Sequence, residues 1–293
     1  MTFPSFDVAS DVRIRVHHFT PDVDENAPVV VMSHPTGMCA LMYEPFVRHT
    51  SGVNIFAMDT RCHGESARGD VTDWDGFRRD THAVISTVLE RTKHNKVIGV
   101  GISSGSSAHL LNAATSREMY SGLFLCEPIA FPPDADLSTR DDLISSTERR
   151  RNTLDSFDDA LRRFSAGGPL SHLDSECLEL YCRHGFKSKG DREEITLCCT
   201  PQDEAAIYRS GPDNGVFEIL PQVEAPTLII YGAKSETFTD EYARSLAGKI
   251  PRAHYKALAD AGHFTLFENP RQGADFFMDF MRSLERGPLS LGV

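Results

Sequence analysis

Short runs of apolar residues recur along this chain, separated by stretches that mix apolar and polar residues as helices do. Because strands buried on both faces of a sheet are apolar throughout, these runs predict buried strands. We expect the strands at residues 28–32, 53–58, 96–101, 122–126, 226–231 and 253–258. Residues 12–17 alternate between apolar and polar side chains, which is typical of an edge strand.

The stretches between these runs predict helices. They are expected at residues 42–50, 74–91, 104–114, 240–250 and 270–284. Strands that alternate with helices favour a parallel sheet covered by helices on both faces, which is the α/β class.

The alternation stops after Pro128 and resumes with the strand at 226–231. Residues 129–215 are polar and helix-like, and no strong strand is predicted among them. A separate domain or a disordered segment is the alternative, but apolar residues recur in this segment and core-type strands follow it. We therefore predict a helical cap at 129–215, inserted into one core domain that is formed by 1–128 and 216–293.

The composition narrows the possible functions. Of 293 residues, 40% are hydrophobic and 25% are charged, as in an ordinary globular protein. The formal net charge of -12 argues against a nucleic-acid binder, which needs clustered Lys and Arg. No apolar run approaches the roughly 18 residues of a membrane span, and the N-terminus does not look like a signal peptide. The expected partner is a small-molecule substrate; a monomer and a homodimer remain equally open.

The cysteine pattern points to a reducing compartment. The chain has seven cysteines, an odd number, and their spacing matches no zinc site. Reduced, mostly buried thiols are the better interpretation, so we predict a cytoplasmic protein without a structural metal.

A sharp turn carries the first candidate for chemistry. Gly101-Ile-Ser103-Ser-Gly105 joins the predicted strand 96–101 to the predicted helix 104–114. Such a turn forces its central residue to a positive φ and requires small neighbours. Ser103 would then stand at a helix N-terminus, where backbone N–H groups favour negative charge. A serine hydroxyl is a weak nucleophile, so Ser103 needs an adjacent base.

The candidate base is His263, which follows the last predicted strand and so lies at the same edge of the sheet. It would take the proton of Ser103 and return it to the leaving group. His63 is the alternative base. We interpret its segment as structural instead, with Asp59, Arg61 and His63 joining loops through hydrogen bonds.

A histidine base needs a carboxylate to fix its tautomer, and two glutamates qualify. Glu127 follows the strand at 122–126, and Glu236 follows the strand at 226–231. Both stand at carboxyl ends of strands and keep the chain order serine, acid, histidine. The residues alone leave the choice open.

The loop His34-Pro-Thr36-Gly follows the first buried strand and can aim a backbone N–H at a developing oxyanion. Pro35 has no N–H, so we predict Thr36 as one donor and the N–H of Ser104 as the other. A plain turn is the alternative. We expect the substrate pocket to be lined by His34, Met38, Phe131 and Phe264, although the last three suit packing better than specific contact with a ligand.

Together these residues resemble the α/β-hydrolase superfamily. The likeness rests on Gly101-x-Ser103-x-Gly105, the His34 loop, the 59–66 segment and Gly262-His263. It implies a mostly parallel, doubly wound sheet of about eight strands, a lid at the insertion, and catalysis without a cofactor. The chain departs from the family pattern in three places, with Pro35 and Cys62 where glycine is usual and Ser235 where the acid usually stands.

The position of the acid is similar to that in some haloalkane dehalogenases of the same fold, in which a glutamate follows the sixth strand. On this resemblance we favour Glu127 over Glu236. Those enzymes use an aspartate nucleophile, whereas Ser103 suits acyl transfer.

We therefore expect a serine hydrolase that forms an acyl-enzyme with a small to medium, largely apolar carboxylic ester, thioester or lactone. The alternatives are C–C bond hydrolysis, lyase or cyclisation chemistry in a biosynthetic pathway, and a non-catalytic ligand-binding receptor.

Overall fold

The computed structural model describes residues 3–190 and 193–286. Its strands are β1 (Ser5–Ala9), β2 (Arg13–His18), β3 (Val29–Ser33), β4 (Asn54–Met58), β5 (Val97–Ile102), β6 (Tyr120–Cys126), β7 (Thr153–Leu154), β8 (Phe186–Ser188), β9 (Ile195–Leu197), β10 (Thr227–Gly232) and β11 (Ala253–Leu258). Eight of them form the central sheet, in the order β1-β2-β4-β3-β5-β6-β10-β11. The six strands β4, β3, β5, β6, β10 and β11 pair in parallel. At the other end of the sheet, β1 pairs antiparallel with β2, and β2 pairs antiparallel with β4.

Helices cover both faces of this sheet. They are α1 (Glu44–Val47), α2 (Trp74–Thr92), α3 (Ser104–Thr115), α4 (Arg140–Glu148), α5 (Phe157–Ser165), α6 (Ser175–His184), α7 (Pro201–Ser210), α8 (Val216–Ile219), α9 (Asp240–Ala247), α10 (Thr265–Glu268) and α11 (Pro270–Glu285). Among the described residues, no helix combines the length and the apolar character that crossing a bilayer requires.

Alternate residues of β3 pack into two hydrophobic cores, one on each face of the sheet. Val30 and Met32 of β3 pack in the core that includes Phe277 of α11. Val29 and Val31 pack in the opposite core with Val84 of α2, among others. A strand buried on both faces must be apolar at every position, which is why the unbroken apolar runs predicted this sheet. The predicted α/β-hydrolase fold is confirmed.

The edge of the sheet differs from the prediction. β2 forms where alternation was expected, but β1 pairs along its outer side, so β2 is not the edge. Only Val8 is buried among the residues of β1. Phe6 is partly buried against the same core and alternates with polar neighbours, but a pattern of two apolar residues is too short to predict a strand.

Residues between β6 and β10 contain α4 to α8, as expected of a helical insertion, but also the strands β7, β8 and β9. These short strands form a small antiparallel sheet, which the sequence analysis did not predict. They are two or three residues long, too short for alternation to show in the sequence. The boundaries at 129 and 215 remain a prediction.

Candidate active site

Ser103 occupies a strained turn between β5 and α3, with φ 54° and ψ −120°. Both flanking glycines are required by close backbone approach. A Cβ on Gly101 would lie 2.5 Å from the nitrogen of Ser106, and one on Gly105 would lie 2.1 Å from the carbonyl oxygen of Ser33. The sequence thus folds into the predicted elbow because only glycine fits on either side of the serine.

Glu127 lies directly after β6 and contacts His263. Its Oε2 is 2.6 Å from Nδ1 of His263. The carboxylate is fully buried and accepts two further hydrogen bonds, from the N–H of Gly232 at 2.9 Å and the hydroxyl of Ser235 at 2.9 Å. Glu236 is exposed, and it makes no hydrogen bond to His263 in the part of the chain described. The structure therefore brings Glu127, not Glu236, to the histidine.

The contact with Glu127 fixes the orientation of the imidazole. The carboxylate accepts a hydrogen bond from the Nδ1–H, which leaves Nε2 free to take and return a proton. Within the described residues, no hydrogen bond joins His263 to Ser103. Such bonds are often long without substrate and close in the reacting complex.

A second glutamate, which the sequence analysis missed, holds the loop of His263. Glu268 at the end of α10 accepts the N–H of Gly262 at 2.6 Å and that of Phe264 at 2.9 Å. These donors flank His263 on either side. A glutamate five positions after a histidine is no recognised pattern, so only the folded loop reveals this role.

The predicted oxyanion loop lies against the elbow. The Thr36 hydroxyl donates to the Ser104 hydroxyl at 2.9 Å, which ties this loop to the start of α3. Among the described residues, neither the N–H of Thr36 nor that of Ser104 has a hydrogen-bond partner, so both are available to an oxyanion.

Two histidines support this loop from within the core. The His34 Nε2 accepts the N–H of Thr60 at 3.0 Å, so its Nδ1 carries the proton and donates to the carbonyl of Pro35. The His63 Nε2 accepts the N–H of Gly37 at 2.9 Å, and its Nδ1 donates to the carbonyl of Arg61. Both rings are therefore fully engaged, which leaves neither free as a general base.

Burial keeps these rings neutral. It lowers the pKa of His34 to about 3, with a further contribution from the nearby His63. Burial also lowers the pKa of His63. The neighbouring Asp59 is held by the ring of His17 and by the N–H of Ala40. Burial alone would raise the pKa of Asp59, but these hydrogen bonds and the nearby histidines lower it overall.

The predicted pocket residues have different environments. His34 is buried beneath the loop, with both ring nitrogens bonded, and Met38 packs in the core. Phe264 is partly buried, and its ring meets that of His263 edge to face at 5.2 Å. Phe131 is also partly buried and lies near Gly211 of the insertion. A role of Phe131 and Phe264 in the substrate pocket therefore stays a prediction.

All seven cysteines are buried as free thiols. Burial raises their pKa values, for example that of Cys126 to about 12. In the described residues, no group of three or more His, Cys, Asp or Glu side chains is arranged to hold a metal ion.

Comparisons with known proteins agree with this architecture. The chain is 27% identical over 220 residues to the abhydrolase domain-containing protein AKT2 of Alternaria alternata, covering 63% of this chain and 82% of that protein. It is 23% identical over 217 residues to the esterase YbfF of Escherichia coli K12, covering 74% and 78%. In structure it is similar to E-2-(acetamidomethylene)succinate hydrolase, with a TM-score of 0.81, 16% identity, and coverage of 96% and 99%.

A family model matches a longer part of the chain than either of these two sequence relatives does. The model described as "Alpha/beta hydrolase family" matches residues 30–276, which extend from within β3 to beyond β11 and include all the candidate site residues. The chain therefore belongs to the alpha/beta hydrolase family.

Proposed function

We propose that this protein is a serine hydrolase that cleaves a carboxylic ester, thioester or lactone of a small to medium substrate through an acyl-enzyme. The observation that carries the proposal is the 2.6 Å contact between Glu127 and Nδ1 of His263, at the same edge of the sheet as the strained Ser103. A buried carboxylate, a histidine and a serine in a strained turn are the three groups that acyl transfer needs.

In the proposed mechanism, Ser103 Oγ attacks the substrate carbonyl while Nε2 of His263 takes its proton. The resulting imidazolium is stabilised by Glu127, and the tetrahedral oxyanion accepts the N–H groups of Thr36 and Ser104. Collapse of this intermediate expels the leaving group, which receives the proton from His263. Water, deprotonated by His263, then attacks the acyl ester on Ser103 and releases the acid. Every step uses groups of the chain and water.

The choice of nucleophile favours acyl transfer over alkyl transfer. Displacement at a saturated carbon, as in haloalkane hydrolysis, needs a carboxylate that forms an alkyl ester. A serine activated by histidine instead attacks a carbonyl. We prefer an ester to an amide as the substrate because two similar proteins are named as esterases.

A fluorophosphonate probe tests the nucleophile directly. We expect one covalent adduct by intact-mass measurement, absent in Ser103→Ala and retained in Ser146→Ala, an exposed serine of α4 that serves as the matched control. A panel of p-nitrophenyl esters of graded chain length, run beside thioesters and lactones, then tests the reaction.

The two alternatives give different results in this experiment. Labelling at Ser103 without turnover of any ester, thioester or lactone would indicate that the triad serves C–C cleavage, lyase or cyclisation chemistry. No labelling of the folded protein would exclude a serine hydrolase and favour a ligand-binding receptor.

A further inference from the structure

An ion pair with one buried member lies in the insertion, outside the proposed triad. Glu204 of α7 is 4% exposed and receives hydrogen bonds from both terminal nitrogens of Arg150, which follows α4. The buried hydroxyl of Tyr208 donates to Oε1 of the same carboxylate at 3.0 Å. Removing a charged carboxylate such as that of Glu204 from water is costly, so the place of this ion pair in the fold is informative.

This ion pair sits on the predicted oxyanion loop. A Cβ built on Gly37 would lie only 2.9 Å from Oε2 of Glu204, so the glutamate packs directly on that glycine. Gly37 follows Thr36, whose hydroxyl reaches Ser104 beside the nucleophile. Through these contacts the insertion meets the core where a substrate carbonyl would be bound.

The two members of the pair differ in exposure. The side chain of Glu204 is 5% exposed, whereas that of Arg150 is 34% exposed. An incoming molecule would therefore meet the cation and not the anion. Although burial alone would lower the pKa of Arg150, its hydrogen bonds to Glu204 raise that pKa overall, so the guanidinium stays charged.

The guanidinium also has hydrogen-bonding capacity left. Arginine has five N–H donors in a planar fork, and the pairing with Glu204 engages its two terminal nitrogens. The remaining donors suit a second planar carboxylate. A doubly charged phosphate would be repelled more strongly by Glu204 than a single carboxylate would.

We propose that Arg150 binds a carboxylate group of the substrate, remote from the bond that is cleaved. The substrate class becomes an ester of a small dicarboxylic or similar acid, with an apolar body and one free carboxylate. This inference rests on the proposed function and changes the expectation of a largely apolar substrate. Glu204 holds the guanidinium in place and keeps the charge beside the oxyanion loop near neutral.

The test compares two matched substrates. One is the monoethyl ester of succinic, glutaric or adipic acid, and the other is the ethyl ester of the corresponding monoamide, which has the same shape without the charge. The measured quantity is the ratio of their kcat/KM values. We expect the wild-type protein to favour the acid, and Arg150→Gln to lower the ratio by about tenfold or more, the effect of losing a charge-assisted hydrogen bond.

Three further variants separate recognition from a structural role. Arg149→Gln, which removes the exposed neighbouring arginine, should leave the ratio unchanged. Arg150→Lys should retain part of the preference, since it keeps the charge but loses the fork. Glu204→Gln should raise the preference for the acid, because the guanidinium is then no longer neutralised. Equal losses on both substrates in Arg150→Gln and Glu204→Gln, or an unchanged ratio, would overturn the proposal.

A binding measurement makes the result independent of catalysis. In Ser103→Ala, glutarate should raise the melting temperature more than glutaramate does, and adding Arg150→Gln should abolish the difference. If the wild-type protein is not labelled by fluorophosphonate, the proposed function fails while this measurement still decides on Arg150. If Arg150→Gln does not fold, Arg150→Lys and Glu204→Gln supply the same comparison. Equal shifts with the two ligands would contradict carboxylate recognition.

Discussion

The hydroxyl of Ser235 donates a 2.9 Å hydrogen bond to Oε2 of Glu127, the same oxygen that contacts His263. The Ser235 oxygen in turn accepts the N–H of Phe238 at 3.2 Å, which directs its proton toward the carboxylate. Ser235 stands where the resembling family usually places its acid. The proposed acid, Glu127, therefore lies at the end of β6, and the hydroxyl of Ser235 at the end of β10 donates a hydrogen bond to it.

The first prediction concerns that acid. Replacing Glu127 with Gln turns one acceptor oxygen into an NH₂ donor and removes the negative charge. The variant then favours the wrong tautomer of His263, so kcat should fall by about 10⁴, as in the serine-protease triad. Glu236→Gln is the matched control, because Glu236 is exposed. Steady-state kinetics on the best ester of the panel measure both. A larger loss in Glu236→Gln would reject Glu127 as the acid.

The second prediction concerns Ser235 as a positioning residue. Ser235→Ala removes one of three hydrogen bonds to Glu127, so kcat should fall by about tenfold at a nearly constant KM, the cost of one charge-assisted hydrogen bond. Ser235→Thr keeps a hydroxyl and should restore most of the rate.

The same geometry allows the acid to be relocated. Ser235 lies within hydrogen-bond distance of the carboxylate that contacts His263, so adding Ser235→Asp to Glu127→Gln should restore part of the lost activity.

For the second prediction, the contrary outcome is that Ser235→Thr restores no rate and Ser235→Ala loses stability and rate equally. That result would indicate a purely structural role for Ser235.

Much of the site was predictable because local rules govern it. Steric exclusion at Gly101 and Gly105 makes the elbow around Ser103 visible in the sequence. His263 was predictable as the base because it follows the last strand and therefore lies at the same edge of the sheet as Ser103. The choice between Glu127 and Glu236 depends instead on side-chain direction. Glu127 and His263 are 136 positions apart in sequence and meet only in the folded sheet.

The contributions of Glu268, Arg150 and Glu204 were not predictable. Glu268 acts on backbone N–H groups, which every sequence contains and which therefore leave no pattern. Arg150 and Glu204 lie 54 residues apart and meet only through the packing of α4 against α7. The strand β1 was missed because Phe6 and Val8 are the two residues of this strand that pack toward the core, and so short a pattern does not identify a strand.

The third prediction concerns stability in acid. His34 and His109 are buried and neutral, and burial lowers the pKa of each to about 3. In the unfolded chain a histidine titrates near 6.5, so below that pH the unfolded state binds more protons. The stability from these two neutral rings is complete above pH 6.5 and is lost as pH falls toward 3. Each ring contributes a slope of about 1.4 kcal/mol per pH unit in that window.

Urea unfolding at pH values from 7 to 4 measures this slope. In His109→Gln, the slope should be smaller by the contribution of one histidine. The variant should also be less stable at pH 7, because it loses the hydrogen bonds of His109 to Ser33 and Tyr120. His49→Gln, at an exposed position, should leave the slope unchanged. The same slope in wild type and His109→Gln would mean that the ring is protonated in the folded protein.

The fourth prediction concerns Glu268, which holds the loop of His263 through the N–H groups of Gly262 and Phe264. In Glu268→Gln one of the two acceptor oxygens becomes an NH₂ group that faces a donor, so the loop must shift. Because a displaced base affects the reacting complex more than substrate binding, kcat should fall by about 10 to 100-fold while KM changes little. The NMR signal of the proton between Nδ1 of His263 and Glu127 should shift or broaden in the same variant. Glu285→Gln, near the end of α11, provides the control. A loss of melting temperature with an unchanged kcat and an unchanged proton signal would show that Glu268 stabilises the fold without positioning the base.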